Sequence, residues 1–182
     1  MTLLPDTDTH TDVSADERAR RLTEAGAAWN ERIAADASSA ALTYRVTGRG
    51  IGAVATEIRA GKHRFLVDEP AALAGDDAAP SPVEYALGAL VSCQVVVFRL
   101  YAQALGLTID DIRITAEGDL DVRKLFGIDE SGRAGFHDVR VRTEITGPDS
   151  EEDYDRLRAV VEEHCPVLDL FANTVPVTGT LA

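Results

Sequence analysis

The chain has 182 residues, with 18 Lys and Arg against 31 Asp and Glu, so its formal net charge is −13. This length suits one globular domain with an appended terminal element, and a hydrophobic content of 45% excludes a wholly disordered chain. The acidic balance disfavours binding to nucleic acid or to an anionic membrane surface, because both require a basic patch.

The two cysteines, Cys93 and Cys165, form no CxxC pair and no Cys/His cluster, so we expect no metal site. The N-terminus carries acids where a secretory signal needs a basic patch and an apolar run. The longest apolar run, residues 85–98, is shorter than the roughly 20 residues of a membrane span. We therefore expect a cytoplasmic protein, whose thiols are either buried bystanders or redox groups.

The N-terminal region predicts a tail followed by one helix. Residues 1–13 are rich in Thr and Asp and are predicted to be disordered. Ser14, with Glu17 three residues later, has the pattern of a capping box, and apolar residues at 3–4 spacing predict an amphipathic helix over 15–36. Residues 14–40 are thus predicted to be a helix and linker that lie on the main domain or on a partner subunit.

Short alternating runs then predict three strands, at 42–46, 53–58 and 63–67. Glycine turns at 48–50 and 61–62 separate them, and a loop follows.

The clearest predicted element is a long central helix. Ser81, Pro82 and Glu84 supply an N-cap, a proline at the first helical position and the glutamate of a capping box. The helix is apolar nearly all round and ends at Gly106, which indicates burial in the domain centre or at a subunit interface.

The remaining residues predict two half-exposed strands, two helices and a last strand. In chain order these are strands at 112–122 and 136–146, helices at about 148–164 and 166–171, and a strand at 174–181. The order β-β-β-α-β-β-α-α-β indicates an α+β fold, with helices segregated from antiparallel sheets.

Two interpretations of each cysteine stay open. Cys93 lies among apolar neighbours on the central helix, where a thiol is more often a small core residue than a nucleophile. To react it would need a cation from elsewhere in the fold or from another subunit. If Pro166 begins a helix, Cys165 is its N-cap, where helix amides stabilise a thiolate, although an N-cap needs no chemistry.

Two charged residues are weaker candidates. Glu84 is nine residues before Cys93, which places the two side chains on opposite sides of a regular helix, and the capping box explains Glu84 without chemistry. Arg49 lies between two glycines in a predicted turn. It is either a solvated turn residue or a guanidinium on a mobile loop that can fold over a thiolate.

Three stretches together resemble the OsmC/Ohr superfamily. SPVEYALGALVSC (81–93) resembles its signature, in which a cysteine lies on a long central helix. EGDLDVRKLFGIDESGRAGFHDVRV (117–141) and EEHCPVLDLFANTVPVTGTL (162–181) are similar to the OsmC-like branch with a long loop between its late strands. The resemblance covers roughly residues 41–182 and leaves 1–40 outside.

The resemblance implies an OsmC-like α+β fold: antiparallel sheets on a long buried central helix, in an intertwined homodimer with its active sites at the subunit interface. The N-terminal helix is extra. It further implies that Cys93 is the peroxidatic thiol for a small organic hydroperoxide and Cys165 the resolving thiol, with an external dithiol as reductant. The family reaction uses no metal, haem or flavin.

The sequence departs from the family's peroxidases at one position. Those enzymes have a glutamate directly after the proline, where this chain has Val83, with Glu84 one residue further on. Arg49 is the best match to their activating arginine. Besides a hydroperoxide reductase, two other functions are compatible: a dimer that binds a small apolar ligand, and a thiol redox sensor.

Overall fold

The computed structural model describes residues 13–181 and has an α+β fold. Most of the predicted N-terminal tail lies outside the described residues. The regular elements, in chain order, are α1 (Ala15–Ala35), β1 (Val46–Ile51), β2 (Ala55–Ala60), β3 (His63–Val67), α2 (Pro82–Leu105), β4 (Asp111–Asp119), β5 (Asp138–Thr146), α3 (Glu151–His164) and α4 (Pro166–Ala172). The strands form two antiparallel sheets, one of order β1-β2-β3 and one of β4 with β5.

Helix α1 confirms the predicted N-terminal helix, although only half of its capping box forms. The Ser14 side chain accepts a hydrogen bond from the Glu17 amide at 3.2 Å. The Glu17 carboxylate instead binds Arg20 and Arg21, because an ion pair one turn away competes with the uncharged amide of the cap. On the apolar face, Trp29 remains 40% exposed, so the helix covers the domain only along part of its length.

The first strand is not where the sequence placed it. The predicted strand at 42–46 and turn at 48–50 are wrong: β1 begins at Val46 and continues through both glycines to Ile51. The turn comes at residues 52–54, where Gly52 has a φ of +56°. A glycine is suited to the strand position of Gly48, because a Cβ there would come within 3.2 Å of the Ile58 side chain on the paired strand.

Helix α2 confirms the predicted central helix and both of its ends. The capping box of Ser81 and Glu84 is complete, and Gly106 ends the helix with a φ of +72°. One face of α2 is buried, with Leu90 and Phe98 at 0% and 1% exposure. The opposite face is open in the single chain, where Val96 is 53% exposed.

The core forms where the buried face of α2 meets α3 and the second sheet. Its buried members come from these helices and the segments after them: Val97, Phe98, Ala102, Ile109, Leu157, Val161 and Cys165. Strands β4 and β5 alternate inward and outward residues along their whole lengths, as the sequence pattern predicted. By length and composition, α2 is also the one helix of residues 13–181 that could cross a membrane. Its packing against α3 and α4 is that of a core helix.

The predicted final strand at 174–181 is wrong. The chain leaves α4 at Ala172 and has no regular secondary structure from Asn173 to Leu181, with Val177 90% exposed. A strand needs a neighbouring sheet edge for its backbone groups, and this segment pairs with none among the described residues.

Candidate functional site

The two thiols meet where α2 contacts the break between α3 and α4. Cys165 ends α3 and is the residue before Pro166, the first residue of α4. It belongs to the core and is 2% exposed, whereas Cys93 on α2 is partly buried. Although the two residues are far apart in sequence, the packing of α4 on α2 makes their side chains neighbours.

The Cys93 thiol has two polar contacts. Its polar neighbours are the Cys165 thiol, in the core against which Cys93 packs, and the backbone amide of Val167, the second residue of α4. Burial is the main cause that raises the pKa of Cys93 above its ordinary value, the Val167 N–H opposes this rise, and the neighbouring Cys165 thiol adds to it. Within one chain, burial therefore favours the protonated form of the Cys93 thiol.

The sequence indicated that the amides at the start of α4 act on Cys165. In the structure an amide of α4 acts on Cys93. Cys165 is the N-cap of α4 as predicted, but its side chain makes no capping hydrogen bond. The Val167 amide contacts Cys93 instead, because the Cys165 side chain turns into the core while Cys93 approaches α4 from α2.

An apolar groove of about 650 Å³ adjoins the thiols. Ala86 and Ala89 of α2 line it, and they lie seven and four residues before Cys93, on the helix face that carries the thiol. Val167 forms part of the wall, so the groove comes as close to the thiols as the residue whose amide acts on Cys93.

The other groove residues come from the loop before β5, from β5 and from α4. Three of them are polar: Arg133, His137 and Asp138. The large apolar ones are Phe136, Val139, Val141, Leu168, Leu170 and Phe171. The sequence analysis identified none of these residues as a site. The small residues at helical spacing before Cys93 were the one signal that could have indicated a groove on α2.

Glu84 has the capping role that the sequence favoured. Its carboxylate accepts hydrogen bonds from both the backbone N–H and the hydroxyl of Ser81, each at 2.7 Å. These hydrogen bonds lower the pKa of Glu84. The groups that shift the pKa of Cys93 do not include Glu84, so within one chain the carboxylate does not act on the thiol.

We expect Glu84→Gln to destabilise the protein at neutral pH and to leave its thiol chemistry unchanged. The pKa of Glu84 is lower in the folded state, so its contribution to stability is present above its unfolded pKa of about 4.3. That contribution is lost as the pH falls through the lower, folded pKa. Urea unfolding of wild type and Glu84→Gln should therefore give stabilities that differ at pH 7 and converge as the pH falls below the folded pKa of Glu84. An equal difference above and below that pKa would contradict this.

Arg49 lies in strand β1, which corrects its predicted place in a turn. Its side chain is 76% exposed and pairs with Glu57 on β2 at 3.3 Å. Glu57 also pairs with Arg64 of β3 at 3.5 Å. No arginine of residues 13–181 is among the groups that shift the pKa of Cys93, so the structure brings the two cysteines together and leaves Arg49 apart from them.

The fold and the thiol pair define a class: a two-cysteine α+β protein with one thiol on a long central helix and the other at the start of a short helix packed against it. A sequence profile described as OsmC-like protein matches residues 75–179, more than half of the chain. The protein belongs to the OsmC-like family. No curated protein sequence matches it significantly.

Solved structures of the family share the fold. The OsmC-like protein of Mycoplasma pneumoniae aligns with a TM-score of 0.63 at 19% identity, over 72% of this chain and 88% of its own. The organic hydroperoxide resistance protein OsmC of Legionella pneumophila gives 0.56 at 21% identity, over 71% and 89%. The organic hydroperoxide resistance protein of Elizabethkingia anophelis gives 0.55 at 18% identity, over 71% and 88%.

Proposed function

We propose that the protein reduces organic hydroperoxides with Cys93 as the peroxidatic thiol and Cys165 as the resolving thiol. The observation that carries this proposal is the contact between the two thiols across the α2–α4 junction. A sulfenic acid formed on Cys93 would have its resolving partner beside it, without a rearrangement of the fold. Two of the solved structures with this fold are named organic hydroperoxide resistance proteins, which supports the same reaction.

The reaction has three balanced steps. The Cys93 thiolate attacks the distal peroxide oxygen, an S–O bond forms, the O–O bond breaks, and the alcohol leaves after taking up a proton. The Cys165 thiol then attacks the sulfur of the sulfenic acid, a disulfide forms, and water leaves. An external dithiol reduces this disulfide by two exchanges and is itself oxidised to a disulfide, which returns both cysteines to thiols.

The groove beside Cys93 supports an organic hydroperoxide as substrate. Its walls are mostly alanine, valine, leucine and phenylalanine side chains, which favour an alkyl or aryl group. Hydrogen peroxide has no apolar part to bury there. We therefore propose that the peroxide group lies at the Cys93 end of the groove and the organic group along its walls.

Activation of Cys93 requires a cation, and residues 13–181 of one chain place none among the groups that act on the thiol. We propose that the cation comes from a second copy. Burial raises the pKa of the thiol, so a nearby positive charge is needed to form thiolate at neutral pH. Arg49 is exposed on a sheet with little packing against the rest of its own chain, and the outer face of α2 is apolar and open. A homodimer that covers the outer face of α2 would bury that apolar surface. If it also carries Arg49 to the partner's Cys93, it would supply the positive charge that the thiol requires.

The same chemistry indicates a cytoplasmic role in defence against oxidative stress. The proposed cycle must return both cysteines to thiols, and a reducing compartment supports that return. The appended N-terminal helix, whose acidic and basic residues are equal in number, has no part in the proposed reaction.

The test is the consumption of cumene hydroperoxide by the reduced, full-length protein. With dithiothreitol in excess we expect multiple turnovers, slower consumption of hydrogen peroxide, and, without reductant, loss of both thiols to one intramolecular disulfide. The monothiol glutathione serves as the matched reductant control, because a dithiol closes its own disulfide and drives the exchange to completion. Light scattering of the same sample measures the proposed dimer.

Each other result excludes part of the proposal. Consumption no faster than in buffer would exclude the enzyme. Disulfide formation without dithiol-driven turnover would indicate a redox sensor. Unreactive thiols, together with saturable binding of cumyl alcohol, would indicate a binding protein.

A further inference from the structure

A small cavity lies between α1 and the C-terminal half of α2, away from the thiols. Its volume is about 240 Å³, the space that about eight waters occupy. Sites for drug-sized ligands begin at roughly 300 Å³. Its walls come from the first two turns of α1, from the last turns of α2, and from residues 107–109. A ligand that fits this space has only a few heavy atoms.

Two arginines, one from each helix, line this cavity without an ion-pair partner among residues 13–181. The Nε atom of Arg99 on α2 is buried and has no hydrogen-bond acceptor within the described chain. Arg18 on α1 reaches only the carbonyl oxygens of Ile109 and Val13, both at 3.4 Å, which is long for a hydrogen bond from a charged donor. By contrast Arg20 and Arg21, at the adjacent turn of α1, both pair with a carboxylate.

The acids near these arginines do not neutralise them. Asp16 also lines the cavity, but it forms no ion pair with either arginine. Asp111 is close enough to act on Arg99 through its charge, yet its salt bridge, at 3.4 Å, is with Arg113. The lining thus has two positive charges and one negative, a local excess of one positive charge in a chain whose net charge is −13.

We propose that this cavity binds a small oxyanion, such as inorganic phosphate or a short carboxylate, between Arg18 and Arg99. A buried donor without an acceptor costs about 1–3 kcal/mol, more when it is charged, and an oxyanion would satisfy it. Guanidinium groups match the paired oxygens of carboxylate and phosphate. The Thr108 and Gln103 side chains at the same cavity can donate further hydrogen bonds.

The energetics of Arg99 agree with this assignment. Burial lowers the pKa of Arg99, and the positive charge of Arg18 lowers it further. An anion between the two groups would remove their mutual repulsion and join α1 to α2. The site uses no cysteine, so it stands apart from the proposed peroxide chemistry.

The test is calorimetric titration of the full-length protein with sodium phosphate and, separately, with sodium acetate, at constant ionic strength set with sodium chloride. The two titrations distinguish a phosphate from a carboxylate site. We expect one anion per chain to bind, and its Kd to rise at least tenfold in Arg99→Gln and in Arg18→Gln. Arg21→Gln is the matched control, because it removes the same charge from α1 outside the cavity, and its Kd should stay within twofold of wild type.

A second readout is thermal unfolding, where the bound anion should raise the Tm of wild type and of Arg21→Gln only. If Arg99→Gln does not fold, Arg18→Gln on the peripheral helix carries the test. Equal phosphate and acetate affinities in all variants, or no binding of either anion to wild type, would overturn the proposal. Binding that appears only after Asp6, Asp8 and Asp12 are replaced by asparagine would also overturn it, since the arginines would then serve the chain's own acidic segment.

Discussion

Cys93→Ser is expected to lower the turnover of cumene hydroperoxide at least a hundredfold, to the rate in buffer. A serine hydroxyl is close to the thiol in size and polarity, but it is not ionised at neutral pH and is a poor nucleophile towards the O–O bond. The measurement is peroxide loss with dithiothreitol at a fixed protein concentration. Turnover by Cys93→Ser equal to that of wild type would exclude Cys93 as the peroxidatic group.

Cys165→Ser is the matched control, because it makes the same atomic change on the other side of the thiol contact. With dithiothreitol removed, this variant should consume about one equivalent of peroxide and then hold Cys93 as a sulfenic acid, which dimedone labels and mass spectrometry detects. Wild type should not accumulate that label, since its adjacent Cys165 closes the disulfide. Full turnover and no label in Cys165→Ser would exclude the resolving role.

Phe98→Ala is expected to destabilise the fold by about 3–5 kcal/mol, the range for truncating a large aromatic core residue. Phe98 is 1% exposed on the buried face of α2, and its ring contributes to the core that joins α2 to α3. Its loss leaves a cavity that the surrounding helices cannot close completely. Urea unfolding at one protein concentration measures the change, since a dimer's stability depends on concentration.

Phe126→Ala is the control for the same substitution at an exposed site. Phe126 lies in the loop between β4 and β5 with 55% of its surface exposed, so its truncation should change stability by no more than about 0.5 kcal/mol. Equal losses in the two variants would contradict the placement of the core in the single chain.

The helices were predictable because their ends depend on residues within one turn. Ser81, Glu84 and Gly106 set the ends of α2 through a capping box and a left-handed residue, and both are visible in the sequence. The break at Cys165 was predictable for the same reason, since Pro166 provides no amide hydrogen to continue α3.

The strands were less predictable because their limits depend on a partner strand. Residues 42–46 have an alternating pattern, but 42–45 pair with no strand of the described chain. Strand β1 instead contains two glycines that suit a turn when considered alone. The 174–181 segment likewise has the composition of a strand, but it pairs with no strand of the described residues. Alternation indicates that a segment can form a strand, and the position of another segment decides whether it does.

Local sequence likewise determined some features of the candidate site, and tertiary packing determined the others. The positions of the two cysteines, at a helix interior and at a helix start, follow from local sequence and were correctly predicted. The contact between their thiols, and the fact that the Val167 amide acts on Cys93 rather than on Cys165, are tertiary. They depend on how α4 packs against α2, which joins residues far apart in the chain, and no interaction within a few residues of either cysteine determines that packing.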